Sequence, residues 1–208
     1  MIRLAIADDH PIVREGLKHL IANSHDMQLV AEAVKGQEII PMLKKNNIDV
    51  LLLDISMPGS NFLDVLHRIQ HEIEGVRVLV LSLHKEEQYA LRAYKAGASG
   101  YLTKDRTSGE LIKAIRHIYK GKQYITPTFA EQLLDSHKKE ESALHDQLTN
   151  REYEILCMLV KGQRTTDIAH NLSLSPKTIS THKKNILSKL KKKTTSELIR
   201  YAMEQNIS

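Results

Sequence analysis

Asp8, Asp9, Asp54, Ser82 and Lys104 each end or directly follow a short apolar run. Three carboxylates gathered in one crevice repel strongly unless a hard cation sits among them. Mg2+, which takes a few carboxylates together with waters and a phosphate, suits such a set. A carboxylate nucleophile, a metal, a hydroxyl and an ammonium around one point is what acceptance of a phosphoryl group by Asp54 requires, with Mg2+ and Lys104 neutralising the phosphoryl oxygens. Taken singly, the same residues have plainer readings: Asp54 as a turn cap, Ser82 as a loop cap, Lys104 as a solvated charge.

Whether these groups meet depends on the elements that carry them. The run Val50-Leu51-Leu52-Leu53, closed by Asp54 and then by Met57-Pro58-Gly59, reads as the central strand of a parallel sheet covered on both faces. Further strands are predicted over Ile2 to Ala7, Leu29 to Ala33, Arg77 to Leu81 and Gly100 to Thr103. Helical apolar spacing fills the intervals Pro11 to Asn23, Gln37 to Asn46, Phe62 to His71, Lys85 to Ala96 and Ser108 to Gly121. Five βα units in alternation imply an α/β, doubly wound, five-stranded parallel sheet, in which ligands bind at the carboxyl ends of the strands. The strand order of such folds brings Asp8-Asp9 beside Asp54. Pro41 falls inside the second helical stretch, which predicts a kink or a later start.

The 208 residues allow two ordinary domains. A single cysteine, Cys157, excludes a disulfide framework and a multi-cysteine metal site. The opening run Ile2 to Ala7 is too short for a signal peptide, and no apolar run approaches the ~20 residues of a membrane span. The expectation is a soluble protein of a reducing compartment with no membrane partner. The net charge of +5 is unevenly placed: residues 1–140 carry 19 Lys+Arg against 18 Asp+Glu, residues 141–208 carry 11 against 7. An acidic partner is therefore expected for the C-terminal third.

With Asp8-Asp9, Asp54-Ile55-Ser56-Met57-Pro58-Gly59, Ser82 and Gly100-Tyr101-Leu102-Thr103-Lys104-Asp105 in view, the N-terminal domain resembles the receiver (flavodoxin-like) domain of two-component response regulators. The resemblance implies that Asp54 is the phospho-acceptor and Asp9 a direct Mg2+ ligand, with Asp8 acting directly or through water. It makes the backbone carbonyl of Ser56 the remaining protein ligand, Ser82 the switch hydroxyl, Tyr101 the switch aromatic and Lys104 the phosphate-binding cation. On phosphorylation Ser82 and Lys104 would be drawn inward and Tyr101 biased toward burial. Phe62 stands where the family usually has Gly.

Residues 122–147 read as the connection: a short helix over Pro127 to His137, then a polar tether over Lys138 to Asp146. Residues 148–208 read as four helices with clear caps. Thr149-x-x-Glu152 opens Asn150 to Val160, Gly162 ends it, and Thr165 to Asn171 follows. Ser175 caps a third helix begun by Pro176 and running to about Leu190, and Thr194-x-x-Glu197 boxes the fourth. The second and third make a helix-turn-helix. Residues 176–193 hold seven Lys and no acid.

The order Leu148-Thr149-x-Arg151-Glu152, Gly162, Asp167-Ile168-Ala169, Leu172, Ser175, Lys177-Thr178-Ile179, His182, Asn185-Ile186 and Lys189-Leu190 resembles the LuxR-type DNA-binding domain. Joined to a receiver over residues 1–121, it is similar to the NarL/FixJ subfamily. That resemblance implies base-edge contacts from Ser180, Thr181 and Lys184, and contacts closer to the phosphate backbone from Lys177, Thr178, His182 and Lys183. Arg164 departs from the usual Ser or Thr cap, Lys191-Lys192-Lys193 from the usual Gly-apolar turn, Thr195 from a common Arg and Leu198 from a common Ala.

The function implied is a bacterial, cytoplasmic transcription regulator, controlled by phosphorylation of Asp54 by a sensor histidine kinase. Double-stranded promoter DNA, a homodimer formed on phosphorylation or on DNA, and RNA polymerase are the implied partners. It would promote its own Mg2+-dependent phosphorylation without being a dedicated enzyme. Phosphotransferases of the haloacid dehalogenase type also use an Asp at a strand end, but they carry a second acid two residues on, where this chain has Ser56. A regulator that binds DNA without phosphorylation would keep the fold and leave the acidic pocket without a use.

Overall fold

The computed structural model describes residues 1–57, 61–83, 86–127, 129–130, 144–172, 174–205 and 207, with the backbone alone at 86–88, 146 and 150. The chain forms two compact units, Met1–Leu134 and Asp135–Ser208.

The first unit alternates strand and helix: β1 (Ile2–Ala7), α1 (Pro11–Ala22), β2 (Met27–Ala33), α2 (Gly36–Lys45), β3 (Val50–Asp54), α3 (Phe62–Glu72), β4 (Arg77–Ser82), α4 (Glu86–Lys95), β5 (Gly100–Thr103) and α5 (Ser108–Tyr119). All four strand pairings are parallel and the order is β2-β1-β3-β4-β5. Every residue of β3 is buried, which is why its sequence is a continuous apolar run rather than an alternating one. One core layer joins Leu4, Ile6, Leu52, Leu79 and Leu102 from the sheet to Ile115 and Ile118 of α5. Each such side chain contributes roughly 1.5–3 kcal/mol on leaving water.

Register places the chemistry. Ala7 pairs with Leu53, so the next residues, Asp8 and Asp54, emerge side by side. Asp54 pairs with Leu81, one residue before Ser82. Ser82 pairs with Thr103, and the Lys104 N–H donates to the Ser82 carbonyl at 2.7 Å.

Most element ends shift by a residue or two from the sequence reading, and two of the shifts have a clear physical reason. β2 begins at Met27, two residues early, because Met27 is buried opposite Ile2. α2 begins at Gly36 and continues through Pro41. Pro41 removes only the bond to the Gln37 carbonyl, and both residues lie on the exposed face where water can take that oxygen.

The second unit holds α6 (Asn150–Val160), α7 (Thr165–Asn171), α8 (Pro176–Lys189) and α9 (Thr195–Glu204), after a 3-10 turn at Leu144–Gln147. Thr149 and Glu152 form the expected reciprocal box: the Glu152 N–H donates to Thr149 Oγ1 at 3.3 Å and the Thr149 N–H to Glu152 Oε2 at 2.8 Å. At α9 the box is half made. Thr194 Oγ1 accepts from the Glu197 N–H at 3.2 Å, but Glu197 reaches one residue further back to the Lys193 N–H at 2.8 Å. At α7, Arg164 has no side-chain acceptor to offer, and Asp167 takes the Arg164 N–H at 3.4 Å. Ile155, Leu156, Ile168, Ile179, Ile186, Leu198 and Ala202 are buried in this unit.

Of the connection, Tyr124 pairs with Gly100 at the outer side of β5, and Thr126 Oγ1 accepts from the Phe129 N–H at 3.2 Å. Most of the helix expected over Pro127 to His137, and of the tether up to Asp146, lies outside the described residues. Where the tether was expected to end, residues 144–147 form the 3-10 turn instead. Among the described residues no helix is long and apolar enough to cross a membrane.

Candidate functional site

At the carboxyl edge of the sheet, Asp8 and Asp54 are 1% and 2% exposed. Lys104 Nζ lies 2.8 Å from Asp8 Oδ2 and 2.8 Å from Asp54 Oδ2, and its side chain is 6% exposed. Burial raises the Asp54 carboxyl above the ordinary aspartate range and Asp8 adds to the rise, while the Lys104 ammonium works against it. For Lys104, burial pushes the ammonium down but the two carboxylates outweigh it, and the net direction is up. The ammonium therefore stays charged beside its acids.

Asp8 Oδ2, Asp9 Oδ1 and Asp54 Oδ2 are buried, and none accepts a hydrogen bond of good geometry from a described residue. Lys104 holds two of them by charge and distance rather than by a directed bond. Ligand atoms of Asp8, Asp9, His10 and Asp54 all lie within 4.8 Å of one another. That is close to the ~4.2 Å separating opposite ligands of an ion bound at ~2.1 Å. The donor set and its under-satisfied oxygens fit a divalent cation.

The remaining predicted residues fall around this point. The Ser56 N–H donates to Asp54 Oδ1 at 3.2 Å, fixing the turn just after β3. Ser82 is fully buried at the end of β4. Tyr101 is 3% exposed and lines a small cavity with Tyr94, Tyr124 and Phe129. The sequence reading has phosphorylation draw Lys104 inward and bury Tyr101; here Lys104 is already paired and Tyr101 already buried. The carboxylates alone attract the ammonium, so the position of Lys104 requires no phosphoryl group. Pro58, Gly59 and Ser60 lie outside the described residues. Phe62 takes the first position of α3, buried and packed edge-on to Tyr89 with ring centroids 6.0 Å apart.

His10 is the site residue that sequence reasoning missed. Its ring Nδ1 is 2.9 Å from Asp9 Oδ1, 3.2 Å from Asp8 Oδ1 and 3.5 Å from Asp54 Oδ2. Its place directly after Asp8-Asp9 and before the helix-opening Pro11 was the available signal.

In the second unit, α8 turns Lys177, Ser180, Thr181 and Lys184 to solvent, while Thr178, His182 and Lys183 are half-buried along its flanks and Ile179 and Ile186 face inward. The Ser180 hydroxyl donates to the Pro176 carbonyl at 2.9 Å and the Thr181 hydroxyl to the Lys177 carbonyl at 3.1 Å. With their protons committed, both hydroxyls offer acceptor lone pairs outward. Lys189, one of the seven lysines of residues 176–193, is a structural residue: Nζ lies 2.6 Å from Glu152 Oε2 and ties α8 to α6.

The description "Response regulator receiver domain" matches residues 4–116, and "Bacterial regulatory proteins, luxR family" matches residues 146–202. The chain belongs to the LuxR-type response regulators. Its relatives include the response regulator UvrY of Escherichia coli strain K12, 33% identical over 210 residues that span 100% of this chain and 96% of UvrY. The oxygen regulatory protein NreC of Staphylococcus epidermidis is 34% identical over 215 residues, 99% of each chain. Among solved structures, RcsB of Salmonella enterica serovar Typhimurium, bound to a promoter in the presence of a phosphomimetic, aligns with a TM-score of 0.62 at 26% identity, covering 96% of this chain and 97% of that one. This response regulator is thus of the NarL/FixJ type, a two-component transcription regulator with a DNA-binding domain.

Proposed function

We propose that Asp54 is the residue phosphorylated in this regulator, with residues 1–121 acting as receiver, 122–147 as connection and 148–208 as the DNA reader. The observation that carries this is the convergence of Asp8 Oδ2, Asp9 Oδ1 and Asp54 Oδ2, buried and short of directed donors, with Lys104 Nζ 2.8 Å from two of them. Asp8, Asp9, Asp54 and the Ser56 carbonyl would hold Mg2+, which when bound supplies charge neutralisation at the phosphoryl oxygens. An Asp54 oxygen attacks phosphorus, the bond to the donor's leaving group breaks, and Lys104 takes one of the transferred oxygens. Ser82 then donates to another. The new charge competes with Asp8 for Lys104, and Tyr101, packed in the same β4–β5 region, reports the change to the surface.

The phosphoryl donor in the cell is a sensor histidine kinase, and the compartment is the bacterial cytoplasm. Phosphorylation favours a homodimer that grips two half-sites of double-stranded promoter DNA, where RNA polymerase is the further partner. Lys177, Thr178, His182 and Lys183 hold phosphates; Ser180, Thr181 and Lys184 meet base edges.

Incubation with acetyl phosphate tests the reading. Label should appear on Asp54 only with Mg2+ present and vanish in Asp54→Asn. Labelling that survives excess EDTA, or persists undiminished in Asp54→Asn, would sink it.

A further inference from the structure

The acidic pocket contains one group that none of its chemistry so far uses. His10 caps α1 with extended backbone (φ −84°, ψ 110°), and Pro11 opens the helix behind it. The His10 N–H donates to Asp8 Oδ1 at 2.8 Å, so the Cα is fixed beside the pocket. From that anchor the ring leans over the acids, with 47% of its side chain exposed and Nδ1 turned in. One ring nitrogen within 3.5 Å of oxygens from three different carboxylates lies where those carboxylates converge.

An oxygen-only set suits Mg2+, whereas an imidazole nitrogen favours the later first-row divalent ions. We propose that His10 is a ligand of the cation site, its Nδ1 lone pair completing an oxygen-nitrogen set with Asp8, Asp9 and Asp54. The site then takes Ni2+ over Mg2+ by a wider margin than the acids alone confer, while Mn2+, which carboxylates also hold, serves as a probe of the nitrogen. The inference rests on the pocket being the metal site proposed above. The competing arrangement, in which Nδ1 carries the proton and donates to the acids, leaves the metal set free of nitrogen.

The full-length protein, titrated with Mn2+, separates these. Bound ion is counted from the loss of the free-ion resonance, and pulsed electron paramagnetic resonance reads coupling to 14N. The wild type should show 14N modulation. His10→Ala should still bind Mn2+ but lose the modulation, and its Ni2+ over Mg2+ preference should fall by at least roughly tenfold, the lower end of what disturbing a metal ligand's support costs. Circular dichroism confirms the fold of the variant, whose changed side chain is half exposed. Mn2+ held in the pocket without nitrogen coupling, coupling that persists in His10→Ala, or an unchanged Ni2+/Mg2+ ratio overturns the role of His10 alone. Mn2+ binding indifferent to Asp9→Asn and Asp54→Asn overturns instead the reading of the pocket as the metal site, and the His10 inference with it.

Discussion

Lys191, with φ 54°, is the one residue other than glycine that adopts a left-handed backbone among the described residues. It follows the C-cap of α8. The Lys191 N–H donates to the Ser188 carbonyl at 3.1 Å and the Lys192 N–H to the Leu187 carbonyl at 2.8 Å, a Schellman ending in which glycine is the usual residue. A side chain there costs about 1 kcal/mol, partly offset because glycine would loosen the unfolded chain. Lys191→Gly should therefore stabilise the C-terminal unit by about 0.5 kcal/mol, and, by removing a cation, weaken binding to every DNA sequence alike. Denaturant melts and filter binding check both halves; a melt that is unchanged or weaker contradicts the strain. The lysine run 191–193 was legible as a departure in the sequence, but only the backbone shows which lysine bears the left-handed turn. The same holds at the acidic pocket. Asp8, Asp9, Asp54 and Lys104 could be picked out because each sits at a strand end, where topology fixes the neighbours. His10 was signalled only by its place between Asp9 and Pro11, since the direction of a cap residue's ring has no counterpart in apolar periodicity.

At the level of elements, α8 has two kinds of contact in the proposed reading. Lys177, exposed in the first turn of the helix, and Lys183, half-buried on its flank, are the lysines assigned to phosphates, so Ala at either should weaken site and non-site DNA equally and reduce the salt slope by about one unit. Ser180, Thr181 and Lys184 share the solvent face, and Ala there should cost roughly 1–3 kcal/mol at the preferred sequence and little elsewhere. Affinities for both DNAs at two salt concentrations decide; an unchanged specificity ratio in all three face variants would end the reading of α8 as the sequence reader. The hydroxyl geometry adds a direction to that reading, because Ser180 and Thr181, with their protons donated within the helix, would meet base donors rather than acceptors.

The position of α8 depends in turn on Glu152, which is 3% exposed and accepts from Thr149 at its own helix start as well as from Lys189. Burial alone would raise the Glu152 carboxyl, but Lys189 and the Thr149 N–H outweigh it and hold it below the ordinary value of 4.5. A carboxyl lowered in the folded state stabilises above its unfolded value and loses that contribution as pH falls through the lowered one. Hydrogen exchange across residues 150–190 should thus quicken as pH drops below 4.5, once corrected for intrinsic exchange. Glu152→Gln should flatten that change and cost about 1–2 kcal/mol at neutral pH, a figure held down by the one-third exposure of Lys189. A Gln variant as pH-sensitive as the parent would refute the pairing. Helix starts and the apolar strand runs were readable because caps and short runs are local. The inward turn of Lys189 was not, because it depends on a partner 37 residues away.

Over the whole molecule, the first compact unit runs on to Leu134. The structure carries it past α5, where the Tyr124 N–H donates to the Ser99 carbonyl at 2.8 Å and the backbone lies against Gly100. A Cβ on Gly100 would stand 3.0 Å from Tyr124 Cβ and 3.0 Å from Leu79 Cδ1. Gly100→Ala should accordingly loosen Tyr124, read as lost protection of its amide against exchange, while the β3–β4 amides keep theirs; retained protection at Tyr124 would show that the close approach is not needed. β5 is the last strand of its sheet, and such a border is a template on which another chain can add itself. A receiver fragment cut after Gly121 leaves Tyr124 behind and bares that border. Pairs formed by such a fragment would record where the chain was severed, not whether Asp54 carried a phosphoryl group.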